Sequence, residues 1–284
     1  MSGTLYIVAS PIGNLEDITL RALRILKEVD LIAAEDTRHT KKLLVHYGIA
    51  TPLTSYHQHN ESAKSASLVQ RLSSGCRVAL ISDAGTPIVS DPGFRLVQGA
   101  IQAGIPVVPI PGPSALTAIL SACGLPSERF VFEGFLSARK AERRERLREL
   151  REEQRTLVFY EAPHRVKESL QDLLEILGDR QMVLGREMTK VYEEFIRGSV
   201  SELAAQAKTK EWRGEMTLVV RGAIGDRVSK RDRDRDLRSE IKKLRKEGMR
   251  VKEIAELLGE RFSLPKREVY RLVLEGEGRK ESRA

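Results

Sequence analysis

A carboxylate and a glycine that are suited to contacting a nucleotide or an amine follow an apolar run in the first third of the chain. Val78 to Ile81 is continuously apolar, and Asp83 and Gly85 come within four residues of its end. A carboxylate accepts hydrogen bonds from ribose hydroxyls or amines, and glycine lets a ligand approach the backbone closely. Alternatively, these residues only shape turns, together with neighbouring prolines. One isolated turn favours that alternative, but similar groups recur along the chain.

The segment EDTRHT, residues 35–40, is a second such group, and it follows the apolar run Leu31 to Ala34. Asp36 or Thr37 is suited to cap the helix that comes next, because a short polar side chain accepts hydrogen bonds from the first helical amides. Arg38 then remains for a substrate phosphate, which a guanidinium binds well. We expect both roles to be present.

Histidines and cysteines do not form a metal-binding pattern. His57 and His59 lie two apart in the segment 54–60, so they share one face if that segment is extended. No further ligands are close in sequence, which favours a loop lining a cleft over a metal pair. Cys76 and Cys123 lack the CxxC spacing of metal and redox sites. We therefore predict neither a metal site nor a disulfide.

Short strands that alternate with helices must position these polar groups in the first half of the chain. Apolar runs begin at Leu5, Leu31, Val78 and Val107, and segments with helical periodicity separate them. This alternation predicts a mostly parallel sheet, with ligands bound beyond the carboxyl ends of its strands. The first loop contains Gly13 alone, so the GxGxxG fingerprint of dinucleotide-binding domains is absent there.

The second half predicts a smaller α/β domain with hairpin-like strand pairing. Predicted strands occupy residues 130–135, 156–160, 182–184 and 217–220. Polar groups again follow two of these strands, EAPHR at 161–165 and REMTK at 186–190. The highly charged segment 139–155 is predicted to be a solvated helix.

The net charge of +8 is concentrated in the C-terminal region. Residues 225–284 hold 19 Lys and Arg against 13 Asp and Glu, a net charge of +6. A basic tail on a near-neutral body indicates an acidic partner, most simply nucleic acid, although solvated charged helices are an alternative. A mixed-charge linker is predicted at 229–236, followed by three short amphipathic helices. A helix-turn-helix unit and a plain packing appendage are equally compatible with them.

The chain contains no apolar run approaching the roughly 20 residues of a membrane span. Its N-terminus, MSGTLYIVASPIGN, lacks the basic and apolar regions of a signal peptide. We therefore expect a cytoplasmic protein without a membrane partner.

Seven motifs, taken in order, resemble one known family. They are TLYIVASPIGNLEDIT, AAEDTRHT, ISDAGTPIVSDPG, PIPGPSALTA, FYEAPHR, REMTK with YEEFIRG, and GEMTLVV. Together they resemble the RsmI type of 16S ribosomal RNA 2′-O-ribose methyltransferases, within the tetrapyrrole-methylase superfamily of S-adenosylmethionine (SAM) enzymes. The C-terminal helices also fit that family. The motif SDAG, at positions where tetrapyrrole enzymes have Gly-Asp-Pro, favours the ribosomal RNA branch.

This resemblance implies an α/β fold with two α/β domains of the tetrapyrrole-methylase type, SAM in the cleft between them, and a small helix-turn-helix-like C-terminal domain. We place the domains at residues 1–116, 117–224 and 225–284. The resemblance also implies a homodimer that acts on 16S rRNA in the small ribosomal subunit. Its substrate would be the ribose 2′-hydroxyl of the decoding-centre cytidine, position 1402 of that RNA.

The same resemblance implies the residues that contact the cofactor. By motif position they are Pro11, Asp83, Ala84, Gly85, Ile88, Ser114, Ala115, Glu161, Met216 and Thr217.

Methyl transfer to a hydroxyl requires alignment with the sulfonium methyl and removal of a proton. Our hypothesis assigns the proton to Asp36 or Glu187, and the substrate phosphate or developing oxyanion to Arg38 and Lys190. A structural ion pair between Glu187 and Lys190 is the alternative. One rival function is a methyltransferase that acts on a tetrapyrrole, but such a substrate would not require a basic C-terminal domain. A second rival is a non-enzymatic regulator that binds nucleic acid, but this function would not explain the polar loops at the strand ends.

Overall fold

Short runs of mostly aliphatic residues form the first sheet of the computed structural model, which describes residues 3–223, 230–262 and 264–278. The strands lie in the order β3-β2-β4-β1-β5, and every neighbouring pair is parallel. The predicted parallel sheet is therefore confirmed. The strands are β1 Leu5–Val8, β2 Leu31–Ala34, β3 Leu53–Ser55, β4 Val78–Ile81 and β5 Val107–Ile110. Strand β3 was not predicted, because its three residues are too short to give a period-two pattern.

Helices follow these strands and cover both faces of the sheet. Leu26 and Leu44, from α1 and α2, belong to the apolar core on one face. Leu72 and Leu96, from α3 and α4, belong to the core on the other face. The helices are α1 Leu20–Glu28, α2 Thr37–His46, α3 Glu61–Ser73, α4 Phe94–Gln102 and α5 Ala115–Ala122.

The second sheet has the order β6-β7-β10-β8-β9 and mixes strand directions. Strands β6 and β7 are parallel, whereas the other three neighbouring pairs are antiparallel. The pairing of β8 with β9 is the hairpin-like feature predicted for this half. The elements are β6 Phe130–Phe135, α6 Lys140–Glu149, β7 Thr156–Glu161, α7 Val166–Leu177, β8 Gln181–Arg186, β9 Glu194–Ser199, α8 Val200–Thr209 and β10 Met216–Val220.

Helix α5 follows a strand of the first sheet but packs on the second. Its Ile119 is fully buried in a cluster with Val158, Val183 and Val219, which come from β7, β8 and β10. The predicted boundary between residues 116 and 117 lies in the first turn of this helix.

Helix α6 is less solvated than its charge predicts. The side chain of Arg143 is 1% exposed, and its Nε lies 2.8 Å from the buried carboxylate of Asp172 on α7. Its Nη2 lies 3.2 Å from Glu168. Since an unpaired buried guanidinium would be costly, this ion-pair network fixes α6 against α7.

The C-terminal unit, Ile224–Ala284, is distinct from Met1–Ala223 by its internal contacts. It contains α9 Lys230–Lys246, α10 Val251–Arg261 and α11 Lys266–Gly278, which enclose a core including Leu237, Leu258 and Val273. The predicted helical domain is confirmed. The predicted linker is wrong from residue 230 onward, because α9 begins at that residue. The physical reason is that oppositely charged side chains three residues apart stabilise a helix. Residues 224–229 lie outside the described residues.

No helix in the described ranges combines the length and the apolar character that crossing a bilayer requires.

Candidate active-site cleft

A cleft of about 250 Å³ lies between the carboxyl ends of the first sheet's strands and the strand ends and loops of the second sheet. Its position agrees with the rule that ligands bind beyond the carboxyl ends of parallel strands. The first sheet contributes Ile12, Glu35, Asp83, Ala84, Gly85, Thr86, Val89, Ser90, Asp91, Ser114 and Ala115. The second contributes Phe135, Tyr160, Glu161, Glu187, Met188, Lys190, Glu215, Met216 and Thr217.

The loop after β4 is fixed to the loop after β1. Gly85 has φ of +81° and forms a two-way backbone bridge with Ser10, at 2.9 and 3.1 Å. The hydroxyl of Ser10 also donates to the carbonyl of Ser82 at 3.0 Å. A Cβ at Gly85 would lie in ordinary contact with Ile12. The glycine is therefore required by its left-handed backbone rather than by lack of space.

Asp83 connects the ends of the neighbouring strands β2 and β4. Its Oδ1 accepts a hydrogen bond from the amide of Asp36 at 3.0 Å, and its own amide donates to Oε2 of Glu35 at 3.4 Å. Burial raises the pKa of Glu35, against the effect of that amide. Two carboxylates that both line the cleft are thus held next to each other.

Asp91 has the most perturbed carboxyl group in the cleft. Burial raises its pKa to about 7, and the negative charge of Glu35 adds to the rise. Asp83 and Glu215 act in the same direction, while a hydrogen bond from Ser82 opposes them. A carboxyl with a pKa near neutrality is poised to exchange a proton, and a cation in the cleft would favour its ionised form.

Backbone strain is concentrated in the two loops on opposite sides of this cleft. In the described part of the chain, the non-glycine residues with positive φ are Ile88, Ser90, Glu187 and Thr189. Such conformations cost on the order of 1–3 kcal/mol each and cluster at functional sites. Ile88 is the least expected of them, because it is β-branched.

The two loops approach each other closely at one end of the cleft. The amide of Asn14 donates to Oγ1 of Thr189 at 3.0 Å. A Cβ at Gly13 would lie 2.5 Å from Cγ of Lys190 and 2.8 Å from Oγ1 of Thr189. Gly13 is therefore needed for close approach to the second sheet, which is a different role from the glycines of a dinucleotide fingerprint.

Lys190 is paired with Glu187 on the same loop. Its Nζ lies 2.9 Å from Oε1 of Glu187, and both side chains are partly exposed. The Lys190 ammonium is the one cationic side chain among the described cleft-lining residues. The pair therefore offers a positive charge that can bind an anionic group, and the carboxylate of Glu187 holds that charge in position.

Glu161 reaches the cleft at the end of β7, but its carboxylate is committed to protein partners. The side chain is 1% exposed and forms an ion pair with Arg165 at 3.0 Å. It also accepts hydrogen bonds from the hydroxyl of Ser169 and, at 2.8 Å, from the amide of Ala162. A buried carboxylate with three partners shapes the cleft wall instead of acting as a free acid or base.

Tyr160 and Phe135 form an aromatic wall. Their ring centroids lie 5.5 Å apart in an edge-to-face arrangement. Burial raises the pKa of Tyr160, and a hydrogen bond with the side chain of Ser114 opposes the rise. This wall offers an apolar surface beside the carboxylates.

Ten of the fourteen residues proposed from the sequence line the cleft. They are Asp83, Ala84, Gly85, Ser114, Ala115, Glu161, Glu187, Lys190, Met216 and Thr217. Whether they bind a cofactor or act in catalysis stays a prediction.

The other four lie outside the described cleft lining. Pro11 is buried in the first loop, and Ile88 packs against the core of the first sheet. Asp36 caps α2 by accepting from the amide of Arg38 at 2.8 Å, a bond that lowers the pKa of its carboxyl. The side chain of Arg38 is 91% exposed. The predicted cap is confirmed, and the same bond makes Asp36 a weaker base than we proposed.

His57 and His59 do not line the cleft either, contrary to the loop predicted from the sequence. Sequence reasoning also missed Glu35, Asp91, Tyr160 and Glu215 as lining residues. Both Glu35 and Asp91 lie in motifs that were recognised from the sequence. Glu35 is one residue from the chosen Asp36, and Asp91 is three residues from the chosen Ile88. Nothing in the sequence identified their burial.

Comparisons with known proteins agree with this arrangement. The family model of the Tetrapyrrole (Corrin/Porphyrin) Methylases matches residues 4–204. Ribosomal RNA small subunit methyltransferase I of Halalkalibacterium halodurans is 47% identical and covers 95% of this chain and 94% of its own. The protein of the same name from Pseudomonas aeruginosa is 54% identical over 78% of this chain and 79% of its own.

A solved structure supports the fold alone. The uroporphyrin-III C-methyltransferase of Thermus thermophilus, in complex with S-adenosyl homocysteine, superposes with a TM-score of 0.55 at 20% identity, over 76% of this chain and 97% of its own. Since the family model and the relatives both match most of the chain, it belongs to the tetrapyrrole methylases and, within them, to the family of ribosomal RNA small subunit methyltransferase I.

Proposed function

We propose that this chain transfers a methyl group from SAM to the ribose 2′-oxygen of a cytidine in 16S rRNA, at position 1402 in the decoding centre. The general activity, methylation of small-subunit rRNA, follows from the names of relatives that match 95–97% of the chain. The choice of the 2′-oxygen and of this cytidine rests on the motif resemblance described above.

The observation that carries the proposal is how much of the chain each kind of relative covers. The uroporphyrin-III C-methyltransferase structure aligns over 97% of its own length but over only 76% of this chain. About a quarter of this chain therefore has no counterpart in that structure. Two of the rRNA methyltransferases, that of Halalkalibacterium halodurans among them, cover 95–97% of this chain, whereas the match to the Pseudomonas aeruginosa protein covers 78%. The basic C-terminal unit is thus a feature shared with the rRNA enzymes, and a polyanionic substrate gives it a use.

The cleft fits SAM by charge. Six carboxylates line it against one ammonium, among the residues that the structure describes, and SAM is a net cation, with a sulfonium and an ammonium against one carboxylate. Carboxylates such as Asp83 and Glu35 are suited to its ribose hydroxyls and ammonium, and Tyr160 with Phe135 offers an apolar wall to its adenine. SAM supplies an activated methyl group, so the protein has to provide mainly alignment and proton removal.

Within that cleft, Asp91 is suited to accept the proton of the 2′-hydroxyl, since its pKa of about 7 lies near neutral pH. Glu187 stays a second candidate base, although its ion pair with Lys190 favours a positioning role. Lys190 would hold a phosphate or the developing oxyanion. Arg38, exposed beside the cleft, would contact a phosphate farther along the strand.

The direct test is methyl transfer from labelled SAM to small ribosomal subunits that lack the modification, followed by mapping of the labelled atom. We expect label on the 2′-oxygen of the decoding-centre cytidine. Label on another rRNA atom would keep the general activity and overturn the target. Transfer to a uroporphyrinogen-type ligand but not to subunits would favour the tetrapyrrole alternative. The homodimer and the cytoplasmic location stay predictions.

A further inference from the structure

Helix α2 presents an outer face that carries only positive charge. Its sequence, TRHTKKLLVH, holds one arginine, two lysines and two histidines but no carboxylate. Thr40, Leu43 and Leu44 are buried, and the two leucines belong to the core beneath the sheet. The exposed side chains are those of Arg38, His39, Lys41, Lys42, Val45 and His46.

This concentration of charge is not a property of the body as a whole, residues 1–224. Residues 1–224 hold 29 Lys and Arg against 27 Asp and Glu, once the tail's 19 and 13 are subtracted from the chain's 48 and 40. Helix α2 alone therefore carries more net positive charge than the whole body. By contrast, Arg24 on α1 is neutralised by Glu28 at 3.1 Å.

The lysines of this face are not used inside the protein. Within the described residues, Lys41 and Lys42 form no hydrogen bond and no ion pair, while Asp36 contacts Arg38 at 3.6 Å. Holding Lys41 and Lys42 side by side without an ion-pair partner costs energy that a bound polyanion would recover, whereas Arg38 is partly balanced by Asp36. The pattern therefore fits an external ligand better than a structural role.

The face begins at the edge of the cleft. Glu35 lines the cleft and directly precedes the cap residue Asp36, whose amide donates to the cleft residue Asp83 at 3.0 Å. With a rise of 1.5 Å per residue, Arg38 and Lys42 are about 6 Å apart along the helix and Arg38 and His46 about 12 Å. The row thus leads away from the cleft over a length of about two to three nucleotides of an extended strand.

We propose that the outer face of α2, formed by Arg38, Lys41 and Lys42, binds the phosphates of the single-stranded RNA that flanks the target nucleotide. This inference rests on the proposed function, because a nucleotide held in the cleft must have its neighbouring phosphates nearby. It adds to the basic tail a second binding surface, located on the methyltransferase body. Such contacts position the strand without reading its bases.

The test is binding of a labelled single-stranded RNA of the target sequence to the full chain at several salt concentrations. K41E/K42E should bind at least tenfold more weakly at low salt, and the slope of log K against log salt should be smaller by about 1.4, for two lost phosphate contacts at roughly 0.7 each. The control R71E/K208E changes the net charge equally at exposed positions of α3 and α8 and should keep the wild-type slope.

Two further controls separate the possible failures. K41R/K42R should retain binding, and SAM affinity measured by calorimetry should be the same in all variants, since none of these side chains lines the cleft. An unchanged slope in K41E/K42E, or equal weakening in R71E/K208E, would overturn the inference. Normal binding to naked RNA with lost binding to subunits would overturn it in favour of an acidic protein partner. Methyl transfer to small subunits by the wild-type chain is measured separately and tests the proposed function.

Discussion

The backbone amide of Asn14 donates a hydrogen bond of 3.0 Å to the hydroxyl of Thr189 and so joins the first loop of one sheet to a strained loop of the other. Thr189 has φ of +66°, and Lys190, which follows it, is the cation of the cleft. This bond therefore helps to determine where that cation lies.

Replacing Thr189 by valine should loosen this connection. Valine keeps the shape and the β-branch but cannot accept the amide hydrogen bond, so we expect a loss of about 0.5–1.5 kcal/mol in unfolding free energy. The KM for SAM should rise, because the Lys190 loop lines the cleft. Thr189→Ser keeps the hydroxyl and serves as the control. Urea unfolding and steady-state kinetics measure the two effects, and equal behaviour of both variants would argue against the role of this bond.

Asp91 should control the pH dependence of the reaction. Since its pKa in the free protein is about 7, kcat/KM should fall as the pH drops below 7 and the carboxylate becomes protonated. The cationic SAM should lower this pKa in the complex, so the corresponding limb of kcat should lie at lower pH, and SAM binding near pH 7 should release protons.

Asp91→Asn should remove that limb and the proton release, with a loss of about 10²–10⁴ in rate if the carboxylate accepts the substrate proton. The same substitution should lower the rate but raise the stability of the folded protein. Because the pKa is raised on folding from 3.8 to about 7, the carboxyl's contribution to stability is lost as the pH rises between those values. Asp91→Asn should therefore melt at a higher temperature than the wild type at pH 8. A pH-rate limb that survives in this variant would exclude Asp91 as the base.

Glu187 and Lys190 can be separated by a double-mutant cycle. If Glu187 only orients Lys190 through their 2.9 Å ion pair, then E187Q, K190M and the double variant should lose similar amounts of kcat. Losses that multiply would show that Glu187 acts independently, as a base would. Single-turnover rates with saturating SAM measure this coupling without interference from product release.

Ser169 should stabilise the cleft wall through Glu161. Removing its hydroxyl leaves a buried carboxylate oxygen without one of its donors, which typically costs about 1–3 kcal/mol. Ser169→Ala is therefore expected to unfold at lower urea concentration. Ser121→Ala, at an exposed position of α5, is the matched control and should be nearly neutral. Equal stability of the two variants would contradict the proposed network.

Removal of residues 224–284 should affect the substrate far more than the cofactor. These residues form a unit of their own with a separate core, so the remaining body should fold. We expect SAM affinity near the wild-type value, weaker binding to small subunits and a less steep salt dependence. Equal loss of both affinities would mean that the body depends on this unit for its structure.

The sequence was sufficient to predict four of the five strands of the first sheet, because these four are mostly aliphatic runs between helical segments. It also located the polar loops at the strand ends. It could not distinguish a carboxylate that faces the cleft from one that caps the next helix. Glu35 and Asp36 are adjacent and chemically alike, but only Glu35 lines the cleft, since the direction of a side chain in a tight turn depends on tertiary contacts.

Asp91 was missed for a related reason. The loop that directs it into the cleft contains Ile88 and Ser90 in left-handed conformations, which their side chains give no reason to expect. Its pKa is raised mainly by burial and further by carboxylates on other loops, including Glu35 and Glu215. Properties that depend on several distant segments are absent from any one stretch of sequence.

The packing of α5 has a consequence for folding cooperativity. This helix follows directly from the first sheet, yet Ile119 and Leu120 complete the core beneath the second sheet. A fragment that begins at residue 117 would lack the first turn of the helix, and one that begins after residue 122 would leave this face of the second sheet uncovered. The second sheet thus completes its core with a helix that continues directly from the first sheet, and Ile12 of the first loop packs against the same core, so the two sheets should unfold in a single transition, although each has a separate set of strands.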